Sequence, residues 1–172
     1  MPTTNFPYGI AGPGIVNTAL TSPLNLPQNT TGTLFTTAGG PILVCCIFGV
    51  VTTALGATVT TVQLSAKVGA LASVPVCLAG TVTSLAAGTV LMPITSFGTA
   101  LSVTATAGVI YAGNGTGVPT SFIMGGPGII TATTSANDTG QIQWYLMYAP
   151  YSNVAPNGTG TATPVTTVTP IA

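Results

Sequence analysis

The sequence predicts an all-β fold: an antiparallel β-sandwich or barrel-like domain with extended N- and C-terminal arms rich in Pro, Thr and Gly. Three observations carry this reading. Apolar and polar residues alternate with period two in several stretches, and turns bearing Gly or Pro separate those stretches. Strong helix formers are nearly missing, because the 172 residues include one Lys or Arg and one Asp or Glu.

Residues 1–38 read as the N-terminal arm. Pro2, Pro7, Pro13, Pro23 and Pro27 interrupt it, and each removes a backbone donor and restrains its predecessor. Residues 39–150 read as the β core. The continuous apolar run at 42–51, ILVCCIFGVV, predicts a strand buried on both faces. Val62, Leu64 and Ala66 alternate with Gln63, Ser65 and Lys67, giving one apolar face. Leu101, Val103, Ala105, Ala107 and Val109 repeat the pattern. So do Ile142, Trp144, Leu146 and Tyr148, until Pro150 ends that strand. Ser135–Gly140 reads as a hairpin loop, and residues 112–117 as a second loop. Ala79-Gly-Thr-Val82 recurs as Ala87-Gly-Thr-Val90, most simply as two strand starts. The Gly-Gly-Pro triplets at 39–41 and 125–127 would mark a duplicated half if the residues after them matched, and they match poorly. Residues 151–172, with Pro156, Pro164 and Pro170, read as the C-terminal arm. Both arms are expected to be ordered against neighbouring subunits.

Composition excludes most chemistry. Only 1% of residues are charged and there is no His, so paired-carboxylate hydrolysis, imidazole acid–base work and Arg clamps on anions lack their parts. One lysine cannot neutralise a run of phosphates, so no nucleic acid is expected as a partner. No enzyme activity and no cofactor are expected. The chain is long enough to bury roughly 70% of its unfolded surface. Its near-zero net charge removes the like-charge repulsion that keeps copies apart. A structural or interaction role remains.

Cys45, Cys46 and Cys77 all lie in apolar runs. Adjacent residues on a regular strand point to opposite faces, so Cys45 and Cys46 are not expected to share a metal site. All three read as small buried hydrophobes; a disulfide from Cys77 to one of the pair is the alternative. The N-terminus has no basic n-region and is not read as a secretory signal. The Asn-x-Thr sequons at Asn29, Asn114, Asn137 and Asn157 arise easily by chance in a Thr-rich chain, and the two Asn-Gly-Thr cases, Asn114 and Asn157, read as turn chemistry. Residues 39–59 are uncharged and long enough to span a bilayer as a helix. Their β-branched content and the lack of flanking Lys or Arg speak for a strand instead.

Candidate sites are few. Ser65 and Lys67 would share one strand face, as a Ser–Lys dyad needs; the simpler reading is a solvent-facing edge where Lys discourages strand pairing. Asp138 fits an Asx turn. Gly113-x-Gly115-x-Gly117 lacks the helix and Lys of a phosphate loop. Thr pairs such as Thr58/Thr60 and Thr131/Thr133 are too irregularly spaced for an ice-matching rank, and Thr suits strands anyway. Trp144 and Tyr148 belong to the core face. Phe6, Pro7, Tyr8, Tyr145 and Tyr151 are the candidate interface residues, since aromatics concentrate at subunit contacts.

Thr4-Asn-Phe-Pro-Tyr-Gly-Ile10 resembles the opening of many tailed-phage virion proteins. Gly39-Gly-Pro-Ile-Leu-Val44 is similar to the start of the β-domain in small phage head-associated proteins. Thr139-Gly-Gln-Ile-Gln-Trp-Tyr-Leu-Met-Tyr-Ala-Pro150 resembles their closing strand. The resemblance implies a head decoration or cement protein on the capsid surface of the virion. Its partners would be copies of itself, with a trimer the simplest guess, and the major capsid protein or other virion proteins. A tail component or filament subunit is the alternative assembly, and an integral membrane protein the more distant one.

Overall fold

The computed structural model describes residues 16–19, 22–94, 98–104, 120–150 and 167–170. The described residues contain no helix. In chain order the strands are β1 (Val16–Ala19), β2 (Leu24–Asn25), β3 (Thr31–Ala38), β4 (Ile42–Thr53) and β5 (Thr61–Val68). Next come β6 (Val74–Pro75), β7 (Gly80–Thr81), β8 (Val90–Met92), β9 (Ser102–Thr104) and β10 (Phe122–Met124). The last three are β11 (Gly128–Thr134), β12 (Gln141–Pro150) and β13 (Thr167–Pro170).

The strands form two antiparallel sheets, seven-stranded and six-stranded. The first runs β1-β12-β4-β8-β9, with β2 also on β12 and β10 also on β4. The second runs β13-β3-β11-β5-β6, with β7 also on β5. Their facing sides pack into one apolar core, the arrangement of a β-sandwich. The first sheet contributes Ile42, Val44, Ile47, Val51, Ile142, Trp144, Leu146 and Tyr148, and the second Leu34, Phe35, Val62, Leu64, Ile130 and Ala132. The period-two readings of β5 and β12 therefore place the right residues inside.

Four expectations are corrected. First, the sandwich begins before residue 39. β3 lies inside the segment read as an arm, yet it is an interior strand and Phe35 is fully buried. β1 and β2 also pair with β12, and β13, from the C-terminal segment, pairs with β3. Pro-rich spacing excluded helix there but left room for short strands.

Second, β4 is not buried on both faces. Its residues alternate between buried and half-buried, and the phase shifts at Cys45–Cys46. Met147 pairs with Cys46 and Tyr148 with Val44, so Cys45 is an extra residue in a β-bulge. Third, Ser135–Gly140 is not a hairpin loop, because it carries the chain from β11 in one sheet to β12 in the other. Fourth, the strand that carries Lys67 is not an edge strand: β5 has β11 on one side and β6 and β7 on the other, although its pairing with β6 covers Ser65 and Ala66 and stops before Lys67.

Both Gly-Gly-Pro triplets lie at crossings between sheets, one joining β3 to β4 and the other β10 to β11. They share one corner, since β3 pairs with β11 and β4 with β10. Gly39 takes φ +97° there, a conformation that favours glycine. Thr37 Oγ1 ties the corner by donating to the carbonyl of Gly128 at 3.2 Å. The Ala-Gly-Thr-Val quartets lead into β7 and β8. The apolar segment 39–59 is mostly β4, and no helix among the described residues is long and apolar enough to cross a membrane.

Candidate interaction surface

Three of the large exposed apolar side chains, Leu71, Val74 and Ile123, gather where an edge of each sheet meets. β5 turns into β6 through Gly69, at φ +53°, and the N–H of Leu71 donates to the Val68 carbonyl at 3.0 Å. β6 is only two residues long and ends in Pro75. A short edge strand with a proline resists strand-to-strand pairing, so contact here has to use side chains. β10 approaches from the first sheet. Between these elements lies an open apolar cleft of about 420 Å³, lined by Val68, Leu71, Val74, Phe122, Ile123 and Met124 among others. Leu71 is 68% exposed, Val74 58% and Ile123 62%. A cluster of this kind on a neutral surface marks a contact site more than a scattered exposed Leu would.

Ile123 also joins this cleft to the outer face of the first sheet. It pairs with Leu43, and Leu43 pairs with Ala149. The next rows are Cys46 with Met147, Phe48 with Tyr145, and Val50 with Gln143. Phe48 and Tyr145 stack with centroids 4.8 Å apart and planes 11° from parallel. Tyr145, Phe48, Met147, Ala19 and Thr18 rim a second depression of about 350 Å³. Of the candidate interface residues, Tyr145 thus sits half-buried in an apolar row. Phe6, Pro7, Tyr8 and Tyr151 lie outside the described residues. Leu71, Val74 and Ile123 escaped sequence reasoning because only the fold brings 71–74 beside 122–124.

The charged side chains leave this surface neutral. Lys67 is half-buried on the outer side of β5 with Ser65 beside it on the same face. Asp138 is buried in the β11–β12 loop, where its Oδ1 accepts the N–H of the next residue, Thr139, at 2.8 Å, a local backbone contact in place of the two-residue span of an Asx turn. Gln28 Nε2 donates to the Asp138 carbonyl at 2.7 Å and to the Leu26 carbonyl at 2.9 Å. Gly56 packs so close to Asp138 Oδ1 that a side chain there would overlap it. These contacts give Asp138 a structural part in holding the crossover loop. The Thr pairs form no common rank, because Thr58 is exposed while Thr60 is fully buried. Asn29 takes φ +52° in the bend before β3.

All three cysteines are free thiols. Burial pushes the Cys46 thiol up to about 11, with the neighbouring Cys45 adding to it. Burial also raises Cys77, opposed by the Leu64 N–H that points at its sulfur from 3.5 Å. A thiol held protonated in the folded state makes that state lose ground as pH rises. The stability Cys77 contributes is complete below the unfolded thiol value of 9.0 and fades as pH climbs through the higher folded value. Urea midpoints measured from about pH 7 to about pH 10 are expected to fall at the alkaline end, and Cys77→Ala to show a shallower fall. An identical slope in the variant counts against this. Among the described residues no three Cys, Asp or Glu side chains converge as metal ligands. No protein-family model matches the chain, and no curated protein or solved structure matches it either, so its functional reading rests on this geometry and on the sequence.

Proposed function

We propose that the chain is a non-enzymatic structural protein, one tile of a homo-oligomeric shell of the kind that decorates or cements a phage head. The observation that carries this reading is the apolar cleft around Leu71, Val74 and Ile123 on a molecule whose two charged side chains are half-buried or buried. Burying such a patch against another subunit contributes about 25 cal/mol per Å² of apolar area, and no charge repulsion opposes it. A closed assembly repeats that contact in every copy. The sequence resemblance supplies the virion context. Two of its segments, 39–44 and 139–150, meet in the structure along β4 and β12.

Sedimentation velocity across a wide concentration range, followed by electron microscopy of the largest species, tests the proposal. The expected result is a discrete oligomer or a regular lattice. Ring or sheet symmetry fits a head-surface tile, whereas an open helical array identifies a tail or filament subunit instead. A stable monomer at every concentration rejects the proposal.

A further inference from the structure

The β-bulge in β4 does more than re-phase the strand. Val44 and Ile47, on either side of the cysteine pair, both point into the core at 0% and 1% exposure. Cys45 and Cys46 are both half-buried, and Met147 is the residue paired with Cys46. The extra residue therefore turns both thiols toward the outer face, where a regular strand would have sent one of them inward. The Cys45 thiol points at the Leu43 carbonyl from 3.8 Å, and with both residues on one face the geometric objection to a shared ligand is removed.

A third sulfur arrives from a different strand. Met92 of β8 is 6% exposed, and its Sδ stands 3.7 Å from Cys46 Sγ. Sulfurs bound to one ion at about 2.3 Å each stand about 3.7 Å apart at a tetrahedral angle and about 4.0 Å apart in a trigonal set of three. The Cys46 thiol donates to the Met92 thioether at 3.7 Å, so the two sulfurs need little movement to share an ion. We propose that Cys45, Cys46 and Met92 form a binding site for a soft monovalent cation, copper(I). Two thiols and a thioether without a carboxylate or imidazole are a donor set that selects copper(I) over hard cations. Cys45 and Cys46 each form an S–Cu bond and release one proton to solvent, Met92 donates a sulfur lone pair, and no electron is transferred. The bound ion would tie β4 to β8 on the outer face of the first sheet.

The test is an anaerobic titration of the reduced full chain with copper(I) supplied as its bicinchoninate complex, read by loss of the chelate colour. One copper(I) per chain is expected. Cys46→Ser is expected to weaken binding by more than the about 10–100-fold typical of losing an outer-shell partner. Met92→Leu, which conserves volume and so spares the fold, is expected to weaken it by about tenfold. Cys77→Ser, in the β6–β7 segment, is expected to bind as the parent does. Circular dichroism confirms that each variant is folded, and Met92→Leu decides the matter if Cys46→Ser is not. Failure of the parent chain to take copper(I) from the chelator overturns the proposal, as does parental affinity in Met92→Leu or in folded Cys46→Ser.

Discussion

Replacing Trp144 with alanine is expected to lower the free energy of unfolding by about 3–5 kcal/mol, the range for deleting a buried aromatic. Trp144 is 3% exposed, and it lies on β12 directly across from Gly49 of β4. The indole fills the space that a side chain at Gly49 would need. A Cβ there would stand 2.9 Å from ring atoms Cε3 and Cζ3 and 2.7 Å from Ile142 Cγ2. Gly49→Ala is therefore expected to cost about 1–3 kcal/mol by overpacking. The two costs have one origin and will not add. With the indole gone, a methyl at position 49 enters the vacated space, so the double variant should be more stable than the sum of single losses implies. Urea denaturation of the four proteins measures this coupling, for which contacting residues give about 0.5–3 kcal/mol. Strict additivity would mean that Gly49 and Trp144 do not share a site.

β12 was legible in the sequence because it is regular. Every second residue from Ile142 to Pro150 is buried, and those between are half-buried, so period two alone identifies the core face. β5 was legible for the same reason along Val62, Leu64 and Ala66. β4 was not, because its bulge shifts the phase in mid-strand, and an all-apolar run gives no polar residue to reveal the shift. β3 hides a similar shift: the register slips at Leu34, and Leu34 and Phe35 are both buried. A bulge sets two residues of one strand against one of its partner, a relation between strands that neither stretch shows by itself. The Ser135–Gly140 loop misled for a related reason, since turn residues announce a reversal but not which sheet receives the chain. Of the interaction surface, the sequence offered Tyr145 and the shortage of charge. The cleft itself is formed by residues about fifty positions apart, a juxtaposition that composition and period cannot encode.

Placing lysines at positions 71 and 123 together is expected to disperse the assembly while leaving the fold intact. Leu71 and Ile123 are mostly exposed in the single chain, and surface substitutions of this sort usually change stability by no more than about 0.5 kcal/mol. In a contact between subunits the same side chains would be buried. Full burial of a Leu or Ile side chain contributes about 1.5–3 kcal/mol, so removing one weakens each contact by about tenfold to a hundredfold. Burying an ammonium group in that apolar cleft adds a desolvation cost that no acidic side chain can offset, because Asp138, the one acidic side chain, is enclosed in its loop. Sedimentation of Leu71→Lys/Ile123→Lys should therefore give monomer at concentrations where the parent chain assembles. Val59→Lys is the matched control: Val59 is 77% exposed and does not line the cleft, so that variant should assemble as the parent does. If the double variant still assembles, the subunits meet through another surface. Equal dispersal by both variants would point to the neutrality of the chain as a whole, since any added charge would then suffice to hold copies apart.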